Sequence, residues 1–292
     1  MTEWQNQIRR WVETACAMEV LSPKPGNVSP GFEFADASVR DFLNSARAMA
    51  PALALAETRA LGETILEAVE LTRGVVSHNT NLGIILLIAP LAVVPSEKPL
   101  SDGIGDVLKA TTVRDSQLVY QAIRLAQPGG LGETAEQDLQ NEPTLNLVAC
   151  MQLAAHRDMI ARQYSNSFEE VLTSGLRWLR EAADRSHVQP QQIAWLAVRL
   201  LAAFGDSLIA RKCGQEMSDT VRARALEVLE DGWSSRHDFA RRLAAFDAFL
   251  REDGNRRNPG TTADMVAAIL FAALREGLFV ADADWLPEIG GI

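Results

Sequence analysis

Cysteine is scarce in this chain and follows no pattern: Cys16, Cys150 and Cys213 are odd in number, far apart and without CxxC spacing. That argues against both a disulfide framework and a structural zinc site, so the three read as small buried hydrophobes in a reducing compartment. Long apolar runs are also missing. The longest, LGIILLIAPLAVV at 82–94, has 13 residues and contains Pro90, too few to span a bilayer. Positive charge is not in excess either, because 28 Lys and Arg face 38 Asp and Glu for a formal net charge of -10. Duplex nucleic acid is therefore not an expected partner, although a local cluster of Lys and Arg can still hold a small anion. The opening MTEWQNQIRRWVET lacks the apolar segment of a secretory signal. The expectation is a cytoplasmic protein with no membrane partner.

Alternation of β-branched and polar residues is absent too, and helical spacing takes its place. Trp4, Ile8, Trp11, Val12 and Cys16 recur at intervals of three and four, and the pattern returns along the chain. It predicts helices at roughly 2–20, 37–56, 59–75, 80–94, 103–110, 114–126, 143–163, 167–183, 190–212, 219–231, 235–252 and 262–277. The fold class is all-α. The apolar stretch after Asn81 predicts a helix buried at the centre. Gly and Pro gather at 23–31, 128–132, 253–260 and from 287, none long or polar enough for an interdomain linker. One domain over 1–292, a helical bundle of about ten to twelve helices, is expected.

In such a protein chemistry gathers at helix ends, where free backbone N–H groups bind anions. In SPKPGNV, Pro23 and Pro25 hold Lys24 in extended backbone while Gly26 permits a turn. The loop is either a helix stop with a solvated lysine or a phosphate grip with Asn27 beside it. In SHNTNLG, Asn79 or Thr80 is a natural N-cap, which leaves Asn81 in need of a partner and ligand contact as a use for it. Gly129 and Gly130 in PGGLGE permit close ligand approach or form a plain connection. Thr261 and Asp264 in NPGTTADM have capping-box spacing, at a helix start also suited to phosphate.

Two acidic stretches complete the set. Asp158 stands four residues before Arg162, the favourable order for a helical ion pair. Asp206 precedes Arg211 and Lys212 by five and six residues, offsets that turn the bases away from it, so Asp206 is the better functional carboxylate. A histidine metal site is disfavoured, since His156 and Asp158 are two apart on a helix and His78 and His187 lack ligand-spaced partners.

Together and in this order, EVLSPKPGNVSP, NTNLGIILLIAPL, PGGLG, AAHRDMIARQY, DSLIARKCG and NPGTTADM resemble the triphosphoribosyl-dephospho-CoA synthase family, whose members serve citrate lyase and malonate decarboxylase. The resemblance covers nearly the whole chain. It implies an all-helical transferase that uses ATP as the (triphospho)ribosyl donor, releases adenine and glycosylates a hydroxyl of 3′-dephospho-CoA, with Mg²⁺ expected. By that resemblance Lys24, Arg211 and Lys212 meet phosphates, with Gly129, Gly130 and Thr261 beside them, and Asn27, Asn79 and Asn81 position ribose or metal water. Asp36, Asp158, Asp206 and Asp264 share metal binding and base duty, Asp206 first as base or metal ligand and Asp264 as its partner at the metal. A homodimer is left open.

The chain also departs from the better-known members. SPGFEFADAS has no histidine where they carry a GxHxDM-like stretch, SHNTNLG stands for THKG, and KPGNV for KPGLV. These changes resemble a divergent archaeal-type branch. They leave open a different acceptor, such as a pterin-type one-carbon cofactor precursor, a nucleotide or ribosyl hydrolase, or a helical scaffold that has lost activity.

Overall fold

The computed structural model describes residues 1–129, 137–230 and 236–281. Within them lie fourteen α-helices: α1 (Glu3–Leu21), α2 (Val39–Ala54), α3 (Leu61–Arg73), α4 (Leu82–Val93), α5 (Leu100–Lys109), α6 (Val113–Ala126), α7 (Leu147–Ala154), α8 (Met159–Ser165), α9 (Leu176–Arg185), α10 (Gln189–Phe204), α11 (Ser207–Cys213), α12 (Gln215–Glu230), α13 (Arg236–Arg251) and α14 (Gly260–Arg275). The described residues contain no strand, only an isolated bridge between Phe34 and Ala37. The fold is all-α, as the periodicity requires. No single helix among the described residues is long and apolar enough to cross a membrane.

Local signals set the helix starts. Thr2 caps α1 and Ser38 caps α2, each completed by a reciprocal bond from the third helical residue, Gln5 or Asp41. Helix α4 is apolar all round and buried from Leu82 to Ala92, packed by α14, α3 and α2. Helix α14 is likewise buried on nearly every side from Met265 to Leu274. These two helices form the centre of the core.

Pro90 lies inside α4, where it lacks the N–H that would bond the Leu86 carbonyl. A buried orphan acceptor costs free energy, and the Tyr164 hydroxyl relieves it by donating to Leu86 O at 2.6 Å. Burial pushes the Tyr164 hydroxyl far up from its ordinary titration range, so it stays a donor.

The helix count exceeds the expected ten to twelve for a physical reason. The predicted helix 143–163 divides into α7 and α8, and 190–212 into α10 and α11, the latter two bent by 61°. Each break falls just before an aspartate. Asp158 Oδ1 accepts from the amides of Ile160 and Ala161, and Asp206 Oδ1 from those of Leu208 and Ile209. A carboxylate at an N-cap satisfies two amides that a continuing helix would bond elsewhere, so both chains restart there. Gly205, at φ +69°, supplies the turn before Asp206. Predicted helix 167–183 opens instead as a π-helical segment, Glu170–Gly175, that continues into α9.

The Leu86 carbonyl predicts a coupled pair of effects. Tyr164→Phe should lower stability by about 1–3 kcal/mol, the cost of an unmet buried acceptor. Adding Pro90→Ala, which restores an N–H to α4, should recover much of that loss. Denaturant unfolding of the two single variants and the double variant measures the coupling.

Candidate active site

A cavity of about 1070 Å³ opens where the loop after α1, the start of α4, the α7–α8 turn, helix α11 and the start of α14 converge. Its wall carries the acids Glu19, Asp158 and Asp264 and the bases Arg157, Arg211, Lys212 and Arg256. Apolar lining comes from Phe34, Phe42, Ile84, Leu86, Ile123 and Met151. The basic groups suit an anion and the apolar ones an organic body.

Asp264 is an inner carboxylate that the fold leaves free. It lines the cavity from the first turns of α14 and has no hydrogen bond or ion pair among the described residues. Its room comes from Gly83 of α4, where an added Cβ would lie 2.0 Å from Asp264 Oδ2. Burial, and then the nearby charges of Glu19 and Asp206, push the Asp264 carboxyl well above the usual carboxylate range, with Arg211 pulling the other way. The expected capping box of Thr261 and Asp264 does not form. Helix α14 begins at Gly260, so Thr261 lies within it, lining the cavity with its hydroxyl accepting from Ser207 Oγ at 3.0 Å.

Asp206 is placed differently from the expectation. Oδ1 takes the two amides of α11, while Oδ2 accepts from the Thr262 amide and hydroxyl, both at 2.8 Å. Four bonds occupy the carboxylate, which is buried and does not line the cavity. Burial still pushes its carboxyl up, against the pull of those bonds. Asp206 is thus a tie between α11 and α14 rather than a free base or metal ligand. The paired Asp206/Asp264 metal site is corrected on the same ground, and no group of three His, Cys, Asp or Glu among the described residues could hold a metal ion.

Lys24 is corrected as well. Its side chain is fully buried and bonded to the Glu19 carboxylate at 2.9 Å, the Ser22 carbonyl at 3.2 Å and the Glu19 carbonyl. It is not part of the cavity wall. Asn81 is also turned away, buried against Met49 of α2. Asn79 does reach the wall and accepts from the Leu82 amide at 3.1 Å, but the N-cap position of α4 is Asn81, so the expected N-cap at Asn79 or Thr80 is displaced by one or two residues. Asn27 lines the wall too and binds the α13–α14 loop, donating to the Pro259 carbonyl and accepting from Asn258 Nδ2, each at 3.4 Å. Gly26 holds φ +73°, where a Cβ would meet Leu250 and Pro259 within 3 Å.

The basic side assembles across the chain. Arg211 donates to Asp158 Oδ2 at 2.5 Å, and its buried Nε has no acceptor among the described residues. The local Asp158–Arg162 pair is not made, because Arg162 reaches Glu170 at 2.6 Å and Asp158 serves Arg211 and the α8 N-terminus. Gly129 lies beside Lys212, its would-be Cβ 3.7 Å from Lys212 Cε. Gly130 lies outside the described residues. Asp36 is exposed at the rim, next to the Phe34–Ala37 bridge.

The sequence reading missed Glu19, whose carboxylate lines the wall on the buried face of α1. A signal existed: Ile8, Val12 and Ala15 form a buried stripe at helical spacing, and Glu19 is the next position on it. An acid on an apolar stripe needs a buried partner, and Lys24 supplies it.

Folding leaves Asp264 holding its proton above the ordinary value of 3.8. In that window the folded state binds more protons than the unfolded one, so stability falls as pH rises. Asp264→Asn should therefore be more stable than the native chain near neutral pH, with the gap closing as pH falls to the ordinary carboxylate range. Unfolding free energies measured across that range check both the sign and the window.

Residues 5–282 match the model of the family described as ATP:dephospho-CoA triphosphoribosyl transferase, CitG. A solved structure from Archaeoglobus fulgidus, described as a candidate triphosphoribosyl-dephospho-CoA synthase, superposes with a TM-score of 0.63 at 28% identity. The match covers 80% of this chain and 99% of that one. A search of curated proteins gave no match. With the family model spanning nearly the whole chain, this protein belongs to the ATP:dephospho-CoA triphosphoribosyl transferase family.

Proposed function

We propose that the cavity binds ATP as (triphospho)ribosyl donor and a hydroxyl of 3′-dephospho-CoA as acceptor, with adenine leaving. The observation that carries this reading is the pairing of a free, proton-retaining carboxyl, Asp264, with the basic side of the same cavity. Arg211, Lys212, Arg157 and Arg256 would take the triphosphate, and the Arg211 Nε–H is a donor without an acceptor among the described residues. The apolar lining would take the organic parts of the substrates.

In the reaction the C1′–N9 bond of ATP breaks and a C1′–O bond to the acceptor forms, while one proton passes overall from acceptor hydroxyl to adenine. Asp264 is the cavity carboxyl fitted to carry that proton, because its environment moves its pKa toward working pH. The expected Asp206/Asp264 pair does not fit a resident Mg²⁺, since Asp206 is fully bonded and no group of three His, Cys, Asp or Glu among the described residues could hold a metal ion. Any Mg²⁺ would come as the counterion of the triphosphate. We further take 1–292 as one catalytic domain working in the cytoplasm.

A second reading keeps the donor and changes the acceptor. It is favoured at one place, the exposed rim from Gly31 to Asp36, where the chain leaves the pattern of the better-known members. A pterin-type precursor would then replace dephospho-CoA.

Incubation of the protein with ATP, with and without each acceptor, and chromatography of the free base separate these readings. Adenine release that depends on dephospho-CoA is expected. Dependence on a pterin-type acceptor supports the second reading, and release without any acceptor marks a hydrolase. Gly83→Ala should cut adenine release roughly 100-fold by displacing the Asp264 carboxylate from its place in the cavity. ATP affinity by calorimetry should stay within about threefold, as the basic side is untouched.

A further inference from the structure

The Glu19–Lys24 pair is a buried charge pair at the cavity wall that the reaction as described does not use. Lys24 has three ammonium protons, and three acceptors take them: the Glu19 carboxylate, the Glu19 carbonyl and the Ser22 carbonyl. Nothing remains for a phosphate. Pro23 and Pro25 fix the backbone on either side of the lysine, so it cannot swing out without undoing the loop. Gly26 docks that loop on α13 through Asp247 Oδ1 at 2.7 Å, and Arg251 holds it through the Asn27 carbonyl at 2.6 Å.

Glu19 is the opposite case. Its Oε1 takes Lys24, and among the described residues its second oxygen has no donor, on a side chain that lines the same cavity as Asp264. Burial pushes its carboxyl up, and the Lys24 ammonium, by charge and hydrogen bond, offsets that push only in part. Other titratable groups around it are Cys16 and Glu13 on its own helix and Asp264 on α14. Breaking a buried pair by removing one partner strands a charge, and such pairs contribute little to net stability, so one at a cavity wall points to chemistry.

We propose that Glu19 is a further catalytic residue, whose free oxygen faces the positive charge that develops on the ribosyl C1′ as C1′–N9 breaks and C1′–O forms, and that Lys24 is a positioning residue acting only through Glu19. This rests on the transferase reading above. Glu19 takes no proton and forms no bond in the step; the proton passes from acceptor hydroxyl to adenine, and the anion only lowers the energy of the ribosyl cation between them. Lys24 keeps that oxygen anionic and aimed.

The test compares Glu19→Gln, Lys24→Met, Lys24→Arg and the Glu19→Gln/Lys24→Met double variant for adenine release, ATP affinity by calorimetry and thermal unfolding. Glu19→Gln and Lys24→Met should each lower kcat about 100-fold or more while the ATP Kd stays within about threefold. The double variant should be no slower than the singles, and Lys24→Arg should recover part of the rate. A tenfold or greater loss of ATP affinity in Lys24→Met, absent from Glu19→Gln, would place Lys24 on the phosphates and overturn the proposal. Unchanged kcat in Glu19→Gln would overturn it as well. If Lys24→Met does not fold, the near-isosteric Glu19→Gln decides alone. A native protein that releases no adenine with any acceptor overturns the transferase reading itself, a result distinct from variants that match an active native protein.

Discussion

One carboxylate joins the two halves of the site. Asp206 bonds the first amides of α11 with one oxygen and the Thr262 amide and hydroxyl of α14 with the other. Ser218 adds a second hold, its hydroxyl accepting from the Asp206 amide at 3.2 Å and donating to the Asp206 carbonyl at 3.1 Å. The start of α14 is therefore fixed against α11, which sets Thr261 beside Ser207 and aims Asp264, less than one turn further on, at Gly83. Arg211 and Lys212 ride on the helix that the same aspartate caps. Basic side and acid are positioned by a single tie.

That arrangement carries an electrostatic cost. Glu19, Asp206 and Asp264 are like charges in a buried region, and each one's carboxyl is pushed up by burial. Each meets the problem differently. Asp206 satisfies its oxygens with four donors, Glu19 takes a buried ammonium, and Asp264 has neither and keeps its proton instead. Glu19 has a buried cation to offset the upward push and Asp264 has none, so the two neighbouring acids are pushed up to different extents.

Much of the fold was legible because periodicity and capping are local. Apolar spacing located the helices, and the polar stretch from Asn79 to Asn81 marked the start of α4 to within two residues. The breaks at Asp158 and Asp206 were hidden because an apolar pattern runs on through them, and only the side chain's choice of amides ends the helix. Partners were hidden more deeply. Arg162 has Asp158 one turn away yet pairs with Glu170, since Asp158 is already taken by Arg211, 53 residues distant in sequence. Lys24, expected at the phosphates, is buried off the wall while Glu19, which the motif did not single out, lines it: the motif marks the loop, and only packing tells which side chain faces the cavity. The family could be read from motif order, whereas the assignment of tasks within the site depends on contacts between elements far apart in the chain.

The central claim is that Asp264 is the cavity carboxyl held protonated while Glu19 beside it stays anionic. Infrared spectroscopy of the carboxylic-acid C=O stretch, followed as pH rises past the ordinary carboxylate range, tests it most directly. A protonated-carboxyl band that persists in the native protein and in Glu19→Gln, and vanishes in Asp264→Asn, is the predicted result. A band lost in Glu19→Gln but kept in Asp264→Asn, or absent from the native protein, would contradict it.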